Sequence, residues 1–166
     1  MSSVRKPSVA AMRERLMDEL HPGRRGLGAW SAFIRAHASL VREMDTRLRN
    51  ATGCPLADFD VLAQIADAGG RLRMTELAER VLVSRSGLTR RVASLEDEGL
   101  VERTAADDDG RGVIVCLTDA GVRRLVETQT AHSADVQDLF IARLNDRELA
   151  TIERAMRKII VDCNFG

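Results

Sequence analysis

The sequence predicts a mainly α-helical protein that carries one small β-hairpin. Apolar side chains make up 45% of the 166 residues but aromatic side chains only 3%, a balance that suits helices packed on helices. Apolar residues recur at helical spacing through most of the chain. The exception is residues 101–117, where two β-branched runs flank a turn rich in Gly and Asp. A chain of this length can bury one good core.

The N-terminal third is predicted to hold two helices and an additional segment. Residues 1–25 form either an arm or an extra helix. The apolar spacing from Leu27 to about Asn50 predicts a long helix that ends before Gly53. A short helix is predicted from Ala57 to Ala68, with Gly69 in its left-handed C-terminal cap.

Two more short helices are predicted after a brief extended piece, and a tight turn joins them. Thr75 is the predicted N-cap of the first, which reaches about Val81. Ser84 is the predicted N-cap of the second, which runs to Glu98 and ends at Gly99.

The second of these helices combines an apolar row with a polar, cationic face. Leu88, Val92 and Leu95 form the row. The opposite face consists of Arg85, Ser86, Thr89, Arg90 and Ala93. Residues 71–91 hold six arginines against two glutamates, although the whole chain has 25 basic and 25 acidic residues. The neutral total therefore conceals a local basic stripe.

The rest of the chain is predicted to be a hairpin followed by two helices. Val101–Ala105 and Val113–Leu117 are the predicted strands. Thr118 caps a long helix, and Asn145 caps the last helix in a capping box with Glu148. The apolar repeat of the last helix suits a helical seam: Leu149, Ile152, Met156, Ile159 and Cys163.

Two short helices that are joined by a tight turn and followed by a hairpin form a winged helix-turn-helix. The major groove of DNA admits one α-helix, and arginine can pair bidentately with guanine. The long flanking helices have apolar stripes without a partner in so small a unit, so a second copy would bury them economically. We therefore predict a winged helix-turn-helix DNA-binding region at residues 54–117 and a helical dimerisation region at residues 26–53 and 118–166.

At this point the chain resembles the MarR family of transcriptional regulators over about residues 27–160. The likeness is carried by TELAERV, by SGLTRRVASLEDEGLVER, by Asp-x-Arg-Gly in the wing and by Leu-Thr-x-x-Gly after it. The resemblance implies a triangular dimer on double-stranded DNA, released by a small anionic or phenolic ligand or by thiol oxidation. It further implies a repressor that reads a pseudo-palindromic operator.

The predicted DNA-binding residues lie on both short helices and on the wing. They are Thr75, Arg85, Ser86, Thr89, Arg90, Arg91, Asp109 and Arg111. A hairpin tip beside a major-groove helix overhangs the minor groove, whose negative potential attracts arginine. Arg111 is the only cation between Thr104 and Val122. The Asp-x-Arg likeness implies that Asp109 fixes its direction.

The resemblance also implies a place for a small effector near Trp30, Asp60 and His132. The alternative for Trp30 is packing in the core or at the dimer interface. The alternative for His132, which lies on the apolar stripe of its helix, is a hydrogen-bonded core or interface histidine, and this is the commoner role.

Enzymatic function is not indicated, and neither a metal nor a cofactor is expected. The sequence has no Ser-His-Asp arrangement, phosphate-binding glycine loop or paired-carboxylate motif. Cys54, Cys116 and Cys163 contain no CxxC pair, so a disulfide framework or a zinc site is not indicated.

The expected location is the cytoplasm. No run approaches the roughly 18 apolar residues of a membrane helix, and the N-terminus lacks the apolar core of a signal peptide. Two alternative functions stay open: a thiol-based redox-sensing regulator, and a helix-turn-helix module used for protein–protein interaction. Since Cys54 lies beside Pro55 with no evident cation, we expect a response to a ligand rather than to an oxidant.

Overall fold

The computed structural model describes residues 8–19, 23–81, 83–106 and 112–162. The chain divides into two compact units, residues 1–40 and 41–166. The first unit holds helix α1 (Val9–Glu19) and the beginning of helix α2 (Gly23–Thr52). Within residues 1–25, the structure describes helix α1 and the first residues of α2.

The second unit contains the end of α2 and all remaining elements. They are α3 (Leu56–Asp67), β1 (Arg71–Arg73), α4 (Met74–Arg80), α5 (Arg85–Asp97), β2 (Val101–Ala105), β3 (Val113–Leu117), α6 (Asp119–Leu139) and α7 (Asp146–Asp162). One 3-10 turn, Ile141–Arg143, separates α6 from α7. The predicted fold class, mainly α with a β-hairpin wing, is confirmed.

The three strands form an antiparallel sheet in the order β1-β3-β2. Arg71 lies opposite Cys116 on one side of β3, and Glu102 lies opposite the same residue on the other side. The extended piece predicted before α4 is thus a third strand, which ties the hairpin to the segment between α3 and α4.

One apolar core fills the space between α3, α4, α5 and the sheet. Its most deeply buried members are Val61, Leu62, Ile65, Leu77, Leu88, Val92, Leu95 and Val115. A smaller cluster of Leu48, Cys54 and Phe59 packs the end of α2 against α3. Leu125 of α6 packs against both clusters, so α6 rests on the same core that supports α5.

Most of the predicted helix caps are confirmed. The Ser84 hydroxyl accepts a hydrogen bond from the Gly87 N–H at 3.2 Å, and the Thr118 hydroxyl accepts one from the Gly121 N–H at 3.0 Å. The capping box at Asn145 is complete, since its N–H donates to the Glu148 carboxylate at 2.9 Å.

The predicted cap at Thr75 is wrong. Helix α4 begins at Met74, its N-cap position is Arg73, and no side chain caps it. Arg73 is also the last residue of β1, where it lies opposite Ile114. Because the chain passes directly from the strand into the helix, Thr75 falls inside the first turn.

Candidate nucleic-acid interface

Helix α5 presents one face to the core and the opposite face to solvent. Leu88, Val92 and Leu95 are almost completely buried. The predicted groove-facing residues Arg85, Ser86, Thr89 and Arg90 are all exposed. The Thr89 hydroxyl donates to the Arg85 carbonyl at 3.1 Å, and the methyl group of Thr89 is available for an apolar contact. The helix therefore offers guanidinium, hydroxyl and methyl groups on one accessible surface.

The start of α5 is open to solvent on the side of its arginines. A shallow depression there is lined by Val83, Ser84, Gly87, Arg90 and Arg91. The N-terminal end of a helix carries partial positive charge, which adds to the charge of Arg90. This end of α5 suits contact with a phosphate backbone.

Arg91 differs from Arg90 in its surroundings. Its Nη1 atom lies 2.5 Å from Oδ1 of Asp58 in α3. The Arg91 side chain is 31% exposed and that of Asp58 only 14%. Thr75 is exposed in the first turn of α4. The structure thus places Arg85, Ser86, Thr89 and Arg90 on one face, with Arg91 on the flank.

The tip of the wing, with Asp109 and Arg111, lies outside the described residues. The base of the wing is closed by a hydrogen bond from the Ala106 N–H to the Gly112 carbonyl at 2.9 Å. A Cβ atom on Gly112 would lie 2.6 Å from Nη1 of Arg73. The Arg73 guanidinium therefore lies against the backbone of Gly112, and a methyl group at this position would displace the end of that side chain.

Sequence reasoning missed a contact that joins the wing to α5. Nε and Nη2 of Arg103 in β2 both donate to Oε2 of Glu96 in α5, Nε at 2.8 Å. The backbone N–H of Arg103 donates to Oε1 of the same carboxylate at 3.2 Å. The pair lowers the pKa of Glu96. Seven positions and a turn separate the two residues, so no helical spacing signals this contact.

The structure brings together two of the three predicted effector residues. The His132 ring lies 4.5 Å from the ring of Phe59, centre to centre. Burial lowers the pKa of His132, against the opposite effects of Asp135 and Asp60. Asp60 is half-buried, 3.5 Å from Nε2 of Gln64. Trp30 belongs to the first unit, where its side chain is 62% exposed.

Cys54 is a poor candidate for a reactive thiol. Its side chain is 3% exposed and lies in the cluster with Leu48 and Phe59. Burial raises the pKa of the Cys54 thiol, and a hydrogen bond with Thr128 opposes this without reversing it. Cys116 is half-buried in β3, and Cys163 lies outside the described residues.

Among the described residues, no helix combines the length and the apolar character needed to cross a bilayer. The same residues contain no group of three or more His, Cys, Asp or Glu side chains able to hold a metal ion.

Comparison with known proteins gives consistent matches. A model of the MarR family matches residues 52–112. The multiple antibiotic resistance protein MarR of Escherichia coli is 30% identical over 125 residues, which cover 73% of this chain and 86% of that protein. An uncharacterised helix-turn-helix transcriptional regulator of Bacillus anthracis is 32% identical over 130 residues, covering 78% of this chain and 85% of the other.

Solved structures resemble the chain over most of its length. Sco3205, a MarR family regulator from Streptomyces coelicolor in complex with DNA, is 31% identical with a TM-score of 0.76, covering 82% of this chain and 90% of that one. A mutant of E. coli MarR with operator DNA is 28% identical with a TM-score of 0.71, covering 87% and 97% respectively.

Proposed function

Because the chain belongs to the MarR family of transcriptional regulators, we propose that it represses transcription by binding a pseudo-palindromic operator as a homodimer. A small ligand releases it from the DNA. The observation that carries the proposal is the exposed face of α5, where Arg85, Thr89 and Arg90 stand opposite a buried apolar row. A face of this chemistry on a rigid helix suits the major groove.

In this proposal α5 reads base edges and the wing supports it. Arg85 and Arg90 contact guanine or phosphate, and Ser86 and Thr89 contact the backbone or a thymine methyl group. Thr75, at the start of α4, contacts the phosphate backbone. Arg111 enters the adjacent minor groove, and Asp109 holds its guanidinium in the required direction.

The homodimer is supported by apolar side chains that remain exposed in the second unit. Val122 and Val126 of α6 and Ile159 and Ile160 of α7 are exposed in the single chain. A second copy related by a twofold axis would bury such residues. Two α5 helices would then read half-sites spaced by about 34–36 Å or a multiple of it.

The proposed effector is a small anionic or phenolic molecule that binds near Asp60 and His132. Phe59 offers an aromatic face beside the imidazole ring of His132, and the Asp60 carboxylate can accept a hydrogen bond from a phenol. Because this carboxylate repels an anion, the phenolic class is favoured. Trp30, the third effector residue expected from the sequence, belongs to the first unit.

The direct test is to select bound fragments from the native genome and to measure affinity for the best one over a salt series. If Arg90 reads guanine, Arg90→Ala should cost about 1–3 kcal/mol of binding and relax specificity at one position. If Arg90 contacts phosphate, the same change should lower the salt slope by about one. Arg147→Ala, at an exposed arginine of α7, is the matched control and should bind as the wild type does. If Arg85→Ala and Arg90→Ala both retained wild-type affinity, α5 would not be the DNA-reading helix.

The ligand is tested on the same fragment. Small phenols and aromatic acids are screened for release of the dimer, and the active compounds are repeated with His132→Ala and Asp60→Ala. We expect both variants to need more ligand for release while they bind the operator normally. An unchanged response in both would place the effector elsewhere.

A further inference from the structure

Arg91 lies on the flank of α5 that adjoins the core. It follows Leu88 by three positions and precedes Leu95 by four, and residues at these spacings share one side of a helix. Both leucines are almost fully buried. Arg90, one position earlier, is turned by about 100° and stands on the exposed face. Neighbouring arginines of one helix therefore have different surroundings.

The partner of Arg91 belongs to another helix. Asp58 lies in the first turn of α3, where the helix dipole favours a carboxylate. Its Oδ1 atom is 2.5 Å from Nη1 of Arg91, and water reaches little of the Asp58 side chain. A partly shielded, charge-assisted bond of this kind is stronger than an exposed ion pair.

The same end of α3 is also tied to α2. Asp45 of α2 accepts a hydrogen bond from the Leu56 N–H at 2.9 Å and another from Nε of Arg49 at 2.7 Å. Burial works to raise the pKa of Asp45, but these bonds and the charges of Arg49 and Arg91 bring it below the ordinary value. Hydrogen bonds thus connect the start of α3 to both α2 and α5.

We propose that Arg91 is a positioning residue for DNA reading, and that its ion pair with Asp58 fixes the rotation of α5 so that Arg85 and Arg90 face the groove. The inference rests on the proposed DNA-binding function. It replaces the direct DNA contact expected for Arg91 from the sequence. Because the Asp58 carboxylate repels a DNA phosphate, the Arg91 guanidinium paired with it attracts phosphate only weakly.

The test uses the full-length protein and the selected operator fragment, well below the melting temperature of each variant. Arg91→Ala should weaken binding on the order of tenfold and leave the salt slope unchanged, because no phosphate contact is lost. Arg90→Ala, the matched variant, removes a direct DNA contact and should lower the slope by about one if that contact is with phosphate, or relax base specificity at one position if it is with guanine. Asp58→Asn should also weaken binding, although removal of a negative charge alone would strengthen it.

The charge-swapped double variant, Arg91→Asp with Asp58→Arg, should recover much of the lost affinity. Circular dichroism at the assay temperature identifies the folded variants, and Arg91→Gln replaces Arg91→Ala if that variant unfolds. The inference is overturned if loss of Arg91 lowers the slope by about one while Asp58→Asn binds at least as tightly as the wild type. Arg91 would then be a DNA contact, and the proposed function would stand. If the wild type bound no fragment, the proposed function itself would fail.

Discussion

His132 lies on α6 with its ring against Phe59, and partial burial lowers the pKa of its imidazole. The folded protein therefore holds fewer protons at this position than the unfolded chain does, in the range just below the ordinary pKa of about 6.5. The contribution of His132 to the free energy of unfolding is present above about pH 6.5 and is lost as the pH falls through the lowered pKa of the folded state. His132 thus favours folding at neutral pH.

We expect the melting temperature to fall between about pH 7.5 and about pH 5.5, and His132→Gln to reduce this fall. His37→Gln is the matched control, since His37 is an exposed histidine of α2. Thermal unfolding followed by circular dichroism measures both. The same pH dependence in His132→Gln and in the wild type would show that His132 does not contribute.

Cys54 provides a second test at the scale of a side chain. Because its thiol is buried with a raised pKa, iodoacetamide should label it on the order of a hundredfold more slowly in the folded protein than in urea. Peptide mass analysis after timed labelling gives the rate for each cysteine. Rapid labelling of native Cys54, with peroxide releasing DNA from the wild type but not from Cys54→Ser, would support the redox-sensing alternative instead.

At the scale of elements, the start of α6 packs against Gly99 and Leu100, the residues that follow α5. The Thr118 hydroxyl donates to the Gly99 carbonyl at 2.7 Å, and the Thr118 N–H donates to the Leu100 carbonyl at 3.1 Å. A Cβ atom on Gly121 would overlap the same Leu100 carbonyl oxygen. The Leu-Thr-x-x-Gly sequence therefore builds a close joint between α5 and α6.

Gly121→Ala should destabilise the protein by about 1–3 kcal/mol or more, because backbone must move to admit the methyl group. Gly28→Ala is the matched control: Gly28 lies inside α2, and a Cβ atom there meets nothing within 4 Å. This control should be neutral or more stable by up to about 1 kcal/mol. Urea unfolding of both variants measures the two changes in the free energy of unfolding. Equal stability of the two would contradict the close joint.

The wing gives the second prediction for an element. Arg111→Ala should weaken operator binding strongly and lower the salt slope by about one, whereas Asp109→Ala should weaken binding indirectly by releasing the arginine. Affinity measured over a salt series separates the two effects. An unchanged affinity and slope in Arg111→Ala, with the dimer intact, would remove the wing from the binding mechanism.

Elements were predictable from the sequence where local chemistry decides them. The hairpin strands Val101–Ala105 and Val113–Leu117 have the predicted bounds, and Ser84 caps α5 as predicted. The position of Thr75 was missed because the pairing of β1 with β3, a long-range contact, decides where α4 begins. Partners such as Asp58 for Arg91, 33 positions apart, follow from packing and leave no periodic signal.

At the scale of the whole molecule, the exposed apolar side chains of α6 and α7 lead to a prediction about assembly. Sedimentation at low micromolar concentration should give about twice the 18.3 kDa of one chain. Ile159→Glu should shift the equilibrium toward smaller species, because it places a charge on an apolar seam. Lys158→Glu, at the exposed neighbouring position, should leave the dimer intact. A folded wild-type monomer at this concentration would contradict the proposed assembly.

The sheet order also bears on how the chain reaches its native state. Arg71 of β1 meets Cys116 of β3 about 45 positions later, and closing a loop of that length costs roughly 3–4 kcal/mol of chain entropy. Neither α4 nor α5 is long enough to be stable alone. The pairing of the three-residue strand β1 is therefore not favourable until the core between these elements forms. The last pairing and the core must therefore appear in one cooperative step, and folding is slower than its helical content suggests.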